Sequence, residues 1–77
     1  MLLYYVETKT KDDSMGAIIL GEDPSAIAEE VAKWLKEEKP SPQNVVPVLP
    51  VINRESGKSI GEIVVVSPPQ CQYKSYY

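Results

Sequence analysis

The sequence contains no histidine and a single cysteine, Cys71. A disulfide within the chain is therefore excluded, and a zinc site, which takes several Cys or His ligands, is disfavoured. Proton transfer near neutral pH relies most often on histidine, so its absence leaves only perturbed carboxylate, lysine, cysteine or tyrosine groups for catalysis. We predict no enzymatic activity, no metal site and no cofactor.

Long apolar runs are also missing. No stretch approaches the roughly 18 residues that a membrane span requires, so we expect no membrane association. The N-terminal run Met1–Val6 has no basic leader and ends at Glu7, which favours a cytoplasmic protein over a secreted one. The acidic net charge of −3 disfavours non-specific binding to nucleic acids or anionic lipids.

The chain has 77 residues, which is enough for one domain and too few for two. A domain of this size buries only about 60% of the surface that its unfolded chain exposes. Small domains without disulfides or metals often gain stability by oligomerisation. The length therefore favours self-association.

Apolar periodicity and turn residues predict the element order ββαββ. The strands are predicted at 2–9, 15–20, 45–52 and 60–66, and the helix at 24–38. This order is typical of an α+β fold in which one amphipathic helix packs on one face of a four-stranded, mainly antiparallel sheet. We assign residues 1–67 to this single domain and residues 68–77, which begin with Pro68-Pro69, to a C-terminal tail.

The helix has clear start and stop signals. Asp23 is a good N-cap, and Pro24 suits the first helical position, where no amide donor is needed. The apolar residues that follow recur at helical spacing: Ile27, Val31, Trp34 and Leu35. Pro40 disfavours helical geometry in the residue before it, so the helix is predicted to end near Glu38.

The third strand carries two prolines of opposite parity, Pro47 and Pro50. Because alternate residues direct their amides to opposite neighbours, each side of this strand lacks one ladder donor. The pattern predicts an edge strand or a bulged one.

Each predicted strand has apolar residues of both parities, and a single helix about 22 Å long can shield one face of a sheet. One apolar face is therefore left for another contact. The candidate interface residues, chosen from the strands and the tail, are Leu3, Tyr5, Ile18, Leu20, Val48, Val64, Val66, Tyr73 and Tyr76.

Three partners could cover this face. A second copy could stack sheet on sheet or join edge to edge, which makes a homodimer. The tail could fold back over the sheet, or a different protein could dock there. The sequence favours the homodimer and leaves the other two open.

Other chemical signals are weak. Cys71 lies in Pro-Pro-Gln-Cys-Gln-Tyr, where no histidine can promote its thiolate, so we interpret it as an incidental tail thiol. The acidic pairs Asp12-Asp13 and Glu22-Asp23 bracket the second strand at opposite ends, so they are better explained as turn and cap residues than as metal ligands.

These features favour a small non-enzymatic protein-binding module, an accessory or inhibitory protein that self-associates through its sheet. The alternative is a nucleic-acid-binding protein in which sheet tyrosines stack on bases beside lysines, with Tyr4, Tyr5 and Lys9 as candidates. The acidic balance makes nucleic acid the less favoured partner.

Overall fold

A computed structural model describes residues 2–12 and 16–77. Over these residues the chain forms an open antiparallel sheet of five strands with one helix packed on one face. The elements in chain order are β1 (Tyr4–Lys9), β2 (Gly16–Gly21), α1 (Pro24–Glu38), β3 (Val48–Asn53), β4 (Ser59–Ser67) and β5 (Gln70–Ser75). The strand order in the sheet is β2-β1-β3-β4-β5.

The predicted helix is confirmed at both ends. The Asp23 side chain accepts a hydrogen bond from the Ala26 amide at 2.8 Å, which satisfies one of the free donors of the first turn. At the other end Lys39 adopts the left-handed conformation (φ 47°, ψ 48°) and its amide donates to the Leu35 carbonyl at 3.1 Å. The turn to Pro40 thus begins one residue after the helix ends.

The hydrophobic core lies between α1 and one face of the sheet, here called the covered face. Ile27 and Val31 of α1 are fully buried, and so are Val6, Val51 and Ile63 from three neighbouring strands. Side chains alternate between the two faces along a strand. In each of these strands, the residues on either side of a buried one therefore point away from the helix.

The fifth strand corrects the prediction of four. Residues Gln70–Ser75, which the sequence analysis placed in a tail, pair with β4 from Gly61↔Ser75 to Ser67↔Gln70. The strand was missed because its composition is polar. Its alternation is nevertheless clear in the structure: Cys71 and Tyr73 pack towards the core, while Gln72 lies exposed between them.

Gly61 and Tyr73 form a close contact between β4 and β5. A Cβ atom at Gly61 would lie 2.7 Å from both Cε1 and Oη of Tyr73, and it would also collide with the Lys74 carbonyl oxygen. Gly61 therefore leaves the space that the tyrosine ring occupies, and the ring covers main chain that glycine leaves bare.

The position of β3 corrects another prediction. The strand is not at an edge but lies between β1 and β4. The alternative expectation, a bulge in this strand, is not met either: the β3–β4 register shifts between Val51 and Ile52, but the extra residue, Ile60, belongs to β4. The missing Pro50 donor is accommodated because β1 and β3 pair over a short stretch, Tyr4↔Asn53 and Tyr5↔Ile52, and meet again at the isolated bridge Thr10↔Val45. Pro47 precedes β3 and faces β4, where its carbonyl accepts a hydrogen bond from the Val65 amide.

Between these points the β1–β3 ladder is open, and Pro50 explains why. Arg54 donates its amide to the Leu3 carbonyl, so even-numbered residues of β3 direct their main-chain groups towards β1. Pro50 is one of them and has no N–H to donate. We call the open stretch around Glu7 and Pro50 the seam.

A candidate interaction face on the sheet

The face of the sheet opposite α1, here called the open face, carries five of the nine predicted interface residues. The strand registers place them side by side: Tyr5 pairs with Leu20, and Val48 pairs with Val64. Ile18 lies two residues from Leu20 on the same face. The open face is thus a real apolar surface made from four strands.

Its apolar side chains differ in exposure. Ile18 is 65% exposed, whereas Leu20 and Val48 are each 41% exposed. Tyr5 and Val64 are half-buried by their neighbours. The most exposed part of the open face therefore belongs to β2, at the end of the sheet.

The four other predicted residues lie outside these strand pairs. Leu3 precedes β1 and is half-buried, and Tyr76 follows β5 and is exposed. Val66 is 62% exposed and sits at the register shift between Val65 and Ser67. Tyr73 packs against the hydrophobic core on the covered face. The structure therefore does not bring Tyr73 to the open face.

A cavity at the seam was not foreseen. It has a volume of about 240 Å³, and its lining residues come from β1, β3 and the segment before β3: Glu7, Lys9, Val46, Val48, Leu49, Pro50 and Ile52. The parity of Pro50 could have signalled an interrupted ladder, but the sequence does not reveal which strand lies beside it. The cavity gives the open face a concave apolar centre.

Charged residues lie on the same face beside the apolar ones. The Lys9 Nζ atom is 4.0 Å from a carboxylate oxygen of Glu7, and both side chains are more than half exposed. An exposed pair at this distance contributes little to stability. Glu62 and Lys74 are directly opposite each other in the β4–β5 ladder, so charges of both signs border the apolar area on this side.

The tyrosines proposed for base stacking do not share a surface. Tyr4 packs against the core, whereas Tyr5 has the opposite parity and lies on the open face. The Lys9 charge is offset by Glu7. This arrangement does not favour the nucleic-acid alternative.

Cys71 lies within β5 rather than in a free tail. Its Sγ–H donates to the Ala28 carbonyl at 3.1 Å, and burial raises the pKa of the thiol. It borders a groove of about 480 Å³ between α1 and the β4–β5 turn, where Ala32, Val66 and Pro69 also contribute. A raised pKa keeps the thiol protonated at neutral pH and lowers its reactivity.

The acidic pairs act locally where they are described. Asp23 caps α1, and Asp12 accepts a hydrogen bond from the Thr10 hydroxyl at 2.7 Å. Asp13 lies outside the described residues. Within the described ranges, no group of three or more Cys, Asp or Glu side chains is arranged to hold a metal ion.

Comparisons with protein-family models, curated proteins and solved structures found no match. Among residues 2–12 and 16–77, no helix is both long and apolar enough to span a membrane.

Proposed function

We propose that this protein is a non-enzymatic protein-binding module that self-associates through its sheet. The observation that carries the proposal is the exposure of Ile18 and Leu20 on a face that the helix does not cover. Neither side chain is isolated, because Leu20 pairs with Tyr5 and Tyr5 pairs with Ile52 in the next strand. Together they make a continuous apolar patch that ends at the edge of the sheet.

Fully burying a large aliphatic side chain contributes roughly 1.5–3 kcal/mol, and Ile18 still has about two thirds of its surface to bury. In a homodimer this free energy of burial is gained twice, because both copies bury the same side chain. The patch therefore supplies a substantial part of the free energy needed to offset the lost freedom of two associating molecules, estimated at about 4–15 kcal/mol.

The test is the solution mass across a range of concentrations, measured by sedimentation velocity, for the wild-type protein and Ile18→Asp. We expect the wild type to shift from monomer to dimer with concentration. Ile18→Asp should weaken the dimer by roughly 10- to 100-fold, because a carboxylate in the contact loses hydration that the interface does not replace.

A matched control is Tyr77→Asp, which introduces the same charge at a residue that is 90% exposed and lies beyond the last strand. This variant should dimerise like the wild type. A wild-type protein that stays monomeric at every concentration, or two variants that behave alike, would show that the proposal is wrong.

A further inference from the structure

We propose that two copies of this protein join edge to edge through β2, with a two-fold axis at Ile18 that makes one continuous antiparallel sheet. The inference rests on the proposed self-association and specifies its geometry. β2 is the last strand at one end of the described sheet and pairs with β1 on its inner side.

The direction of the β2 main chain defines what its outer edge can bind. The Ala17 amide donates to the Thr8 hydroxyl at 2.7 Å, and that hydroxyl donates to the Ala17 carbonyl at 3.0 Å. Ala17 therefore directs its main-chain groups towards β1. Successive residues alternate, so the N–H and C=O groups of Gly16, Ile18 and Leu20 point to the outer edge.

A row of outward N–H and C=O groups is matched by another extended strand. Edge strands usually oppose such pairing with charged residues, proline or bulges. β2 has none of these: Gly16–Gly21 contains no charge and no proline, and its six pairs with β1 are in continuous register. The opposite edge strand, β5, carries Lys74 and has a register shift against β4.

Between two copies of this protein, charge favours a contact from β2 to β2 over a contact through other surfaces. The net charge of −3 makes two molecules repel each other, and the exposed side of α1 adds Glu29 and Glu30. An uncharged strand pairs with its own copy without placing like charges opposite each other. A two-fold axis also makes any such contact self-complementary.

The outward groups fix the register. Hydrogen-bonded pairs across the new ladder must join even-numbered residues, and the pairing that engages all three outward residues of β2 (Gly16, Ile18 and Leu20) places Ile18 opposite Ile18 of the second copy. Gly16 then lies opposite Leu20. In this arrangement the most exposed isoleucine of the open face packs against its own symmetry mate.

The size of the contact sets its expected strength. A strand of this length spans roughly 20 Å, so edge pairing alone buries less than the roughly 1,200–2,000 Å² of a stable complex. We therefore expect a monomer–dimer equilibrium that depends on concentration, and an open face that becomes twice as wide in the dimer.

The first test uses Ile18→Pro, with sedimentation velocity as the readout. Proline removes an amide that points to the outer edge, so it abolishes the intermolecular ladder and leaves the hydrogen bonds to β1 in place. The dimer should be lost while the circular dichroism spectrum and cooperative unfolding are retained. Ile18→Val, which keeps the amide and a β-branched side chain, should still dimerise.

Val48→Asp separates edge pairing from face-to-face stacking. Val48 lies on the open face in β3, with β1 between it and β2. Edge pairing leaves it outside the contact, so this variant should keep the wild-type dimer. A stacked dimer would bury Val48, and the new charge would then dissociate it.

Disulfide trapping provides a test that does not depend on how well Ile18→Pro folds. In a Cys71→Ser background, Ile18→Cys should cross-link under mild oxidation because hydrogen-bonded partners lie about 5.5 Å apart between Cα atoms, within disulfide range. Ala17→Cys is the control: its diagonal distance to the same residue of the second copy, about 8 Å, exceeds that range.

The outcomes distinguish the two proposals. Loss of the dimer in Ile18→Pro and selective trapping of Ile18→Cys support edge pairing. If Ile18→Asp dissociates the dimer but Val48→Asp does so too, or if Ala17→Cys is trapped as efficiently as Ile18→Cys, edge pairing is wrong and self-association stands. A wild-type protein that is monomeric throughout overturns both.

Discussion

At the scale of single residues, Gly61 shows how a missing side chain can position a strand. The Tyr73 ring occupies the place of a Cβ atom at Gly61, and the Lys74 carbonyl oxygen lies close to the same point. One of these neighbours is main chain, so it cannot move aside as a flexible side chain would. The pairing of β4 with β5 thus depends on having no side chain at this position.

Replacing Gly61 with alanine should therefore destabilise the protein. We expect the free energy of unfolding to fall by roughly 1–3 kcal/mol, the usual range for an overpacked site. Urea denaturation followed by tryptophan fluorescence would measure the change. Glu62→Ala, one residue along the same strand and half-buried on the open face, is the control and should stay within about 0.5 kcal/mol of the wild type. Equal effects of the two variants would contradict this account.

Individual residues also show which features local sequence encodes and which depend on distant strands. The helix was predictable to the residue because Asp23, Pro24 and Pro40 mark its ends through local chemistry. The segment around Tyr73 has few apolar residues and resembles a tail, so the sequence predicts Tyr73 on the candidate interface. Its true environment depends on pairing with β4, which is not encoded in the segment itself.

At the scale of elements, the seam between β1 and β3 is the weakest pairing in the described sheet. Its ladder stops after Tyr5↔Ile52, since Pro50 cannot donate to Glu7. On the other side of β1, pairing with β2 continues without a shift from Tyr4 to Lys9. The two sides of one strand thus differ in how well their amides are protected.

Amide hydrogen exchange should reveal this difference. The Glu7 amide points towards the open seam, whereas the Val6 amide points towards β2 and takes part in its ladder with Ile19. We expect Glu7 to exchange faster than Val6 under native conditions, since local opening is easier where Pro50 cannot supply the second hydrogen bond of the pair than within a continuous ladder. Residue-resolved NMR would measure both rates, and similar protection at the two amides would contradict an open seam.

The prolines of β3 illustrate what element-level prediction misses. Counting donors correctly indicated that a regular, fully paired strand was impossible. The predicted edge position of β3 is wrong, because a central strand can also tolerate proline where its neighbour separates from it. The existence of an apolar open face was predictable from strand composition. Which residues lie on that face depends on the register of each ladder, which the sequence does not reveal.

At the scale of the whole molecule, β5 belongs to the domain rather than to an appendage. Cys71 and Tyr73 pack against the core, and the Cys71 thiol is hydrogen-bonded to a carbonyl of α1. Removing β5 would expose one edge of β4 and part of the core beneath the helix. This cost is large for a domain of this size, whose stability is a small difference between large terms.

Deleting residues 70–77 should therefore abolish cooperative thermal unfolding. A deletion of Tyr77 alone, which follows the last strand and is 90% exposed, is the control and should leave the melting temperature within a few degrees of the wild type. Circular dichroism melts of the three proteins would make the comparison. If the longer deletion melts like the intact chain, β5 contributes little to the fold.

The strand order also has a consequence for how fast the molecule folds. Of the four ladders in the described residues, three join strands that follow one another in the chain, and such hairpins form in roughly 1–10 μs. The fourth, between β1 and β3, closes a loop that contains β2 and α1. Closing that loop costs entropy before the β1–β3 ladder, which has only two register pairs, can form. The rate-limiting step should therefore be the association of two preformed halves, β1–β2 and β3–β4–β5.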